Sequence, residues 1–233
     1  INFLEKWLKN KIDTVLKSLI DLKDLKDKNS SIKALAYRLY ENNGVLKRDQ
    51  VLEYLKNLRQ NERKILRDLG VKFGRYHIFL FKLIKPEAVS LRTLLWKNYH
   101  QKYFNLKPPT FGLNFIDDKN FKNGNFMLLC GFEKFNNSFV RIDILERLFV
   151  QIINSSDEGA KNKEIKMVPE MLNLLGCNKE NFKKLIKNMN YKIIDKNDEL
   201  FFKYVPIKQN KKISNKKIIN ESPFGILKNL DLG

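Results

Sequence analysis

The stretch LRDLGVKFGRYHIFLFKLIKPEAVSLRTLLW (residues 66–96) predicts how the first half of the chain folds. A helix is expected to end at Gly70, because glycine takes the left-handed position after a helix without steric cost. Residues 71–84 lose the helical period, and their β-branched and aromatic side chains predict an extended or looped insert. Pro86 and Glu87 then suit the first turn of another helix. The stretch therefore predicts a helix, an insert and a second helix.

Amphipathic helices are also predicted on both sides of this joint. Apolar residues at spacings of three and four predict helices over about 1–26, from Ser30 or Ser31 to about 43, and over 48–69. Residues 27–29 are expected to break the first of these patterns. Trp7 and Trp96 are interpreted as interior packing residues. The residues expected to face inward on the helix from Pro86 are Leu91, Leu94, Leu95, Asn98 and Tyr99.

The second half of the chain changes character after Pro108 and Pro109. Strands are predicted at 111–115 and 126–132, a helix at 141–153 and a polar loop at 154–164. The predicted elements that follow are a helix from Pro169, a turn at 176–178, a helix at 179–189 and a hairpin turning at 195–198. Helix, turn, helix and hairpin in this order are typical of a winged-helix unit.

The predicted fold is therefore mainly α, in three parts. A helical bundle (1–104) with its insert at 71–84 precedes a winged-helix-like α+β unit (105–206). A flexible basic tail (207–233) follows and ends in a short apolar hook. No internal repeat is visible in the sequence.

The charge balance favours a polyanionic partner. The formal net charge is +19 and the isoelectric point is about 9.8, which favours nucleic acid first and an anionic membrane surface second. Lys, Asn, Ile and Phe are all abundant, a composition typical of AT-rich genomes, which lowers the weight of the charge as evidence for such a partner. No run approaches the roughly 20 apolar residues that span a bilayer, and no secretory signal is visible, so a cytoplasmic protein without a membrane partner is expected. The chain begins at Ile1 rather than at methionine, which suggests a fragment or a processed product.

Motifs for enzyme chemistry are missing from the sequence. A phosphate loop, a G-x-S-x-G elbow, an H-E-x-x-H pair and a C-x-x-C pair are all absent, so no cofactor is expected in this chain and enzymatic activity is uncertain. Cys130 and Cys177 are isolated and are expected to be reduced thiols, since two cysteines and two histidines at these spacings do not form a usual zinc site. Asp143 and Glu146 are interpreted as a solvated helix face on which Asp143 pairs with Arg147.

Two basic clusters are candidates for nucleic-acid binding. Lys179, Lys183 and Lys187 form one row of a helix with Lys184 alongside, and such a row can contact successive phosphates without reading bases. The other cluster is Lys72, Arg75 and His77, interleaved with the aromatic residues Phe73, Tyr76 and Phe79. The alternatives are a solvated helix face for the first cluster and a strand with a wet edge for the second. His77 and His100 are expected to be ordinary, partly exposed histidines.

Several segments together resemble a known family. The segments are AYRLYENNGVLKRDQV (36–51), LRDLGVKFGRYHIFLFKLIKPEA (66–88), LLCGF (128–132), VRIDILERL (140–148), MVPEMLNLLGCNKENF (167–182) and SPFGIL (222–227). Their order resembles the C-terminal accessory region of bacterial superfamily 2 ATP-dependent helicases related to the mitochondrial RNA-degradosome helicase. The resemblance implies an upstream motor of two RecA-like domains, which would hold ATP and magnesium. It also implies that Arg75 and His77 help form a nucleic-acid channel.

The resulting expectation is an accessory region that binds single-stranded or partly duplex RNA or DNA beside its own motor. One alternative is an interaction module that docks a nuclease or a second subunit through Pro223, Phe224 and Leu227 of the hook. Another is a stand-alone winged-helix DNA-binding protein, which predicts base-specific binding and a dimer. The sequence leaves open whether the substrate is RNA or DNA.

Overall fold

The computed structural model describes residues 2–25, 30–117, 123–156, 164–196 and 199–205. The described part is mainly α, as predicted, with small antiparallel sheets. Its helices are α1 (Asn2–Val15), α2 (Lys17–Lys23), α3 (Ser30–Glu41), α4 (Leu52–Asn57), α5 (Gln60–Asp68), α6 (Pro86–Tyr99), α7 (Gly124–Leu129), α8 (Ile142–Ser156), α9 (Pro169–Leu175) and α10 (Lys179–Asn188). Its strands are β1 (Val45–Lys47), β2 (Val71–Phe73), β3 (His77–Leu80), β4 (Phe115–Asp117), β5 (Phe132–Phe135), β6 (Ser138–Arg141), β7 (Ile165–Lys166), β8 (Tyr191–Lys196) and β9 (Glu199–Tyr204).

The first predicted helix is two helices, because the chain bends at Leu16 between α1 and α2. Only the end of α1 reaches the core, where Ile12 and Val15 pack against the buried cluster of the first half of the chain. The apolar stripe continues toward the amino end of α1, where its side chains are largely exposed. Trp7 is therefore 56% exposed, and the prediction that it packs in the interior is wrong. The predicted break at 27–29 lies outside the described residues.

The predicted single helix over 48–69 is also wrong. A 3-10 turn (Arg48–Val51) leads into α4, and the chain becomes extended at Leu58 before α5 begins. The extended backbone lets the side chain of Leu58 enter the core, where it is buried. The backbone N–H of Arg59 then donates to Glu62 Oε2 at 2.8 Å, which satisfies a donor at the start of α5. Apolar spacing continues across this break, so the helical period alone does not reveal it.

The insert at 71–84 is extended, as predicted. It forms the hairpin β2–β3, and β1 completes a sheet of order β1-β3-β2 in which Val71 pairs with Leu80. The central strand β3 is buried along its whole length. A 3-10 turn (Phe81–Ile84) then leads to α6, which begins at Pro86 as expected.

The buried face of α6 is only partly the predicted one, with Leu91 buried and Leu95 packed against the core as expected. Leu94 and Tyr99 are exposed, while Arg92 lies 2% exposed in the interior. The guanidinium of Arg92 donates to the carbonyl oxygens of Asn43 and Leu83, the first at 2.6 Å. Two carbonyl groups at the ends of neighbouring elements are thus satisfied, and this contact fixes the rotation of α6. Trp96 is half-buried and stacks on Tyr103, as expected of a packing residue.

The two strands predicted in the middle of the chain are wrong in place or in type. Strand β4 begins only at Phe115, and most of 126–132 is helix α7 followed by a turn. The side chain of Asn123 accepts the N–H of Phe126 at 3.0 Å and so begins α7, and Gly131 (φ 87°) follows its end. A short apolar run is compatible with a strand or with a buried helical turn, and here packing decides for the helix.

The last part of the described chain agrees with the prediction. The helices α8, α9 and α10 and the hairpin β8–β9 all form, and Gly176 ends α9 in the left-handed conformation. Strand β7 completes a sheet of order β7-β9-β8. The buried faces of α8, α9 and α10 share one core with this sheet. The basic tail, Pro223, Phe224 and Leu227, most of the predicted loop at 154–164 and part of the hairpin turn lie outside the described residues.

Candidate nucleic-acid interface

The outward face of α10 carries the first candidate cluster. Asn178 starts the helix by accepting the N–H of Asn181 at 2.8 Å, and the buried residues Phe182, Leu185 and Ile186 hold one side of the helix against the core. The opposite side carries four lysines and one exposed carboxylate, Glu180 in the first turn. Lys179, Lys184 and Lys187 are exposed to solvent.

Lys183 differs from the other lysines of α10. Its Nζ lies 3.0 Å from Asp195 on the hairpin β8–β9, and its side chain is 32% exposed. This pairing neutralises part of the predicted row and ties the helix to the hairpin. The exposed lysines of α10 are therefore Lys179, Lys184 and Lys187, whereas Lys183 of the predicted row is held by Asp195.

The second candidate cluster lies on a groove between the hairpin β2–β3 and α8. The groove has a volume of about 620 Å³, and residues from both elements line it. The guanidinium of Arg75 lies 5.5 Å from the centre of the Phe149 ring, in cation–π range. Phe81, 44% exposed, adds an aromatic surface. The cations along the groove are Arg48, Lys72, Arg75 and Arg147.

The acidic side chains at this groove are already engaged. Asp143 accepts two hydrogen bonds from the Arg141 guanidinium, the shorter at 2.7 Å, so the predicted pairing of Asp143 with Arg147 is wrong. Arg48 Nη1 donates to the carbonyl of Gly74 at 2.8 Å, which leaves Lys72, Arg75 and Arg147 as the more available cations. The groove thus combines aromatic surface with a local excess of positive charge.

Glu146 holds the turn of the hairpin β2–β3 on α8. Its carboxylate accepts the backbone N–H groups of Arg75, Tyr76 and His77, the last two at 2.9 Å. Burial would raise the pKa of Glu146, but these bonds and the neighbouring His77 ring outweigh burial and lower the pKa. The interpretation of Glu146 as a solvated surface residue is therefore wrong. The hairpin turn is an anion-binding nest that an internal carboxylate fills.

His77 is enclosed rather than partly exposed, so that prediction is also wrong. The side chain is 2% exposed, and its Nε2 lies 2.8 Å from Glu133 Oε2. Burial alone would lower the pKa of His77, but Glu133 and Glu146 together outweigh burial and raise it. Glu133 also accepts Lys47 Nζ at 2.6 Å. His77 therefore joins β3 to β5 and α8, and it does not line the groove at Lys72 and Arg75.

The sequence gives little sign of the partners in this junction. Glu133 lies 56 residues from His77 along the chain, and Glu146 lies 69 residues away. No local spacing links them, so Lys47, Glu133 and the role of Glu146 were not predicted. Arg147 was predicted only as a partner of Asp143, and the structure places it at the groove instead. His100 is half-buried, and the centre of its ring lies 4.7 Å from that of Trp96 with the two ring planes tilted by 51°.

No family model, curated protein or solved structure matches the chain. The helicase resemblance therefore stays a prediction. Within the described ranges, no helix is both long and apolar enough to cross a membrane. The same ranges hold no group of three or more His, Cys, Asp or Glu side chains placed to bind a metal ion.

Proposed function

We propose that the chain binds the sugar-phosphate backbone of nucleic acid through a winged-helix unit formed by residues 142–205. The observation that carries the proposal is the exposed basic face of α10, with Lys179, Lys184 and Lys187. The element order supports the winged-helix assignment: helix α8, strand β7, helices α9 and α10, and then the hairpin β8–β9. The sheet order β7-β9-β8 places the first strand beside the last, as this motif requires.

The side chains on α10 favour binding that is independent of base sequence. Lysine is a flexible point charge that suits phosphate, whereas base edges are read mainly by Arg, Asn and Gln in fixed geometry. The asparagines of α10 are engaged within the protein: Asn188 accepts Asn136 at 2.8 Å, and Asn181 accepts a weak bond from Lys184. A winged-helix unit with such a helix is expected to hold a strand or duplex without selecting its sequence.

The groove at Lys72, Arg75 and Arg147 supports a second contact of the same class. Aromatic side chains beside cations can stack bases while the cations hold phosphates, which is the usual mode of binding single strands. Phe81 is the exposed ring that a base would reach. Replacing Phe81 with alanine should weaken single-strand binding more than duplex binding, because only unpaired bases stack in this way.

The role beside an ATP-dependent helicase motor is the part of this proposal that rests on the sequence resemblance. In that role the chain would hold RNA or DNA while an upstream motor, fused or separate, hydrolyses ATP. The proposed backbone contact does not depend on it.

The experiment is fluorescence anisotropy with labelled single-stranded RNA, single-stranded DNA and duplex DNA at about 50–200 mM salt. Log affinity falls as log salt rises, and each lost phosphate contact makes this slope shallower by roughly one. The slope of the variant K179A/K184A/K187A should therefore be about two to three units shallower than that of the wild type. A matched control is K6A/K9A/K17A, which removes three exposed lysines from α1 and α2. Equal slopes for the two variants would overturn the assignment of the contact to α10.

A further inference from the structure

Three segments of the described chain share one arrangement, although the sequence shows no repeat. Each has a short strand, one or two described helices and a two-stranded hairpin, and in each sheet the first strand pairs with the third. We call them the first unit (β1 to β3), the middle unit (β4 to β6) and the last unit (β7 to β9). A residue with positive φ directly precedes the second strand of every unit: Gly70 (93°), Gly131 (87°) and Asn190 (67°). The three units therefore repeat in strand order and turn geometry, which a search of the sequence for repeated residues does not show.

The first and last units correspond residue by residue over their central part. A constant offset of 120 residues carries Val45, the start of β1, onto Ile165, the start of β7. The same offset carries Val71, the start of β2, onto Tyr191, the start of β8. In consequence α5 takes the place in the first unit that α10 takes in the last. The buried or left-handed positions that coincide are Val51 with Met171, Leu55 with Leu175, Leu66 with Ile186, and Gly70 with Asn190.

The solvent face of α5 carries cations at two of the positions where α10 carries them. Lys64 and Arg67 are exposed, and they coincide with Lys184 and Lys187. The guanidinium of Arg67 lies 5.6 Å from the centre of the Phe73 ring on β2, which leaves its charge at the surface. Asp68 is the exposed acidic residue of this helix. The outward face of α5 is thus basic and, among the described residues, uncovered.

The middle unit differs in this respect. Its helix α7 has no charged residue, and Phe126, Met127 and Leu129 of that helix are buried. Leu128 packs against Val45, Phe79 and Ile142, which belong to the first unit and to α8. The helix that is exposed and basic in the two outer units, α5 and α10, is thus replaced in the middle unit by α7, which packs in the interior.

We propose that α5 is a second nucleic-acid-binding helix, which contacts backbone phosphates through Lys64 and Arg67. This inference rests on the proposed function of α10 and extends it to the other end of the repeat. A nucleic acid long enough to reach both outer units would bind each helix to the same molecule, and the second contact would add avidity without new chemistry. Affinity should therefore rise with the length of the oligonucleotide until both helices are engaged.

The test compares K64A/R67A with a matched control, K33A/R38A, in the full chain. Lys33 and Arg38 are an exposed lysine and arginine on α3 of the same region. The salt slope for a long single-stranded DNA should fall by about two in K64A/R67A and stay at the wild-type value in the control. A charge-preserving variant, K64R/R67K, should keep the wild-type slope. D68N should bind more tightly, a gain that misfolding does not produce.

The outcomes separate this inference from the function it extends. A normal slope in K64A/R67A with a reduced slope in K179A/K184A/K187A would overturn the second site and leave α10 in place. Wild-type slopes in both variants would overturn both. Both contacts stand if two results are found together. The two sets of substitutions should lower log affinity additively on a long strand, and K64A/R67A should have no effect on the shortest strand that α10 still binds.

Discussion

Replacing Gly74 with alanine should destabilise the protein, but the same substitution should add little further loss in a protein whose Glu146 is already replaced. An added Cβ at Gly74 would lie 2.5 and 2.6 Å from the two carboxylate oxygens of Glu146. These distances are closer than real Cβ atoms approach, so the carboxylate would have to move. Gly74 is not among the glycines with positive φ, so alanine brings no backbone strain of that kind. The cost of G74A therefore reports on the carboxylate alone.

The size of the effect follows from the three N–H groups that the carboxylate accepts. A hydrogen bond to a charged group contributes about 1.5–3 kcal/mol, and donors left unpaired cost about 1–3 kcal/mol each when buried. The turn is partly exposed, so water recovers part of this, and E146A should cost about 3 kcal/mol. G74A, which displaces the same carboxylate, should cost about 2 kcal/mol. The double variant should cost little more than E146A, which gives a coupling energy of about 2 kcal/mol.

The assay is urea unfolding of the wild type, G74A, E146A and G74A/E146A, followed by circular dichroism. E199A is the control, because Glu199 forms an exposed pair with Lys166 and such pairs contribute at most about 1 kcal/mol. Unfolding free energies of G74A within about 0.5 kcal/mol of wild type would refute the reasoning. Strictly additive losses in the double variant would do the same, since they would mean that the two sites do not share one carboxylate.

Three further predictions concern the core. The raised pKa of His77 means that its protonated ring stabilises the fold below its ordinary pKa of about 6.5, so the unfolding free energy of the wild type should fall as pH rises above about 6.5, and H77Q should abolish that dependence; urea curves that show the same pH dependence for both proteins would contradict this. G44A should cost more than G112A, because both have positive φ but only at Gly44 does an added Cβ collide with another side chain, Leu83; differential scanning calorimetry should show the larger loss of Tm for G44A. Burial raises the pKa of Cys130 to about 12 and that of Cys177 to about 11, so a thiol reagent at neutral pH should react slowly with both, and with buried Cys130 last; mass spectrometry of timed samples gives the order.

Local signals predicted the last unit well. Pro169 at the start of α9, left-handed Gly176 at its end and the apolar spacing of α10 are each readable from a few neighbouring residues. The insert at 71–84 was readable for the same reason, since it lies between the helix end at Gly70 and Pro86. These elements depend on backbone sterics and on the helical period, both of which are short-range.

Other features were decided by contacts between distant segments. The helix break at Leu58 and the helical state of 124–129 depend on which side chains enter the core, and the apolar pattern is the same in either case. The threefold arrangement is hidden in the sequence because the units share strand order and turn geometry but few side chains. A fold of this kind depends on which positions are buried and which take a positive φ, and many different residues satisfy those conditions.

By itself the sequence determined the excess of positive charge and the helices that carry it. It also determined the apolar stripe of each helix, whose burial leaves the charged side chains facing solvent. Only the tertiary structure decided which of these groups is available. It closed His77 between two carboxylates, paired Lys183 with Asp195, and left Lys64, Arg67, Lys184 and Lys187 exposed. The physical reason is that a charge is free or neutralised according to what packs beside it, and the groups that neutralise His77 come from residues 56 and 69 positions away.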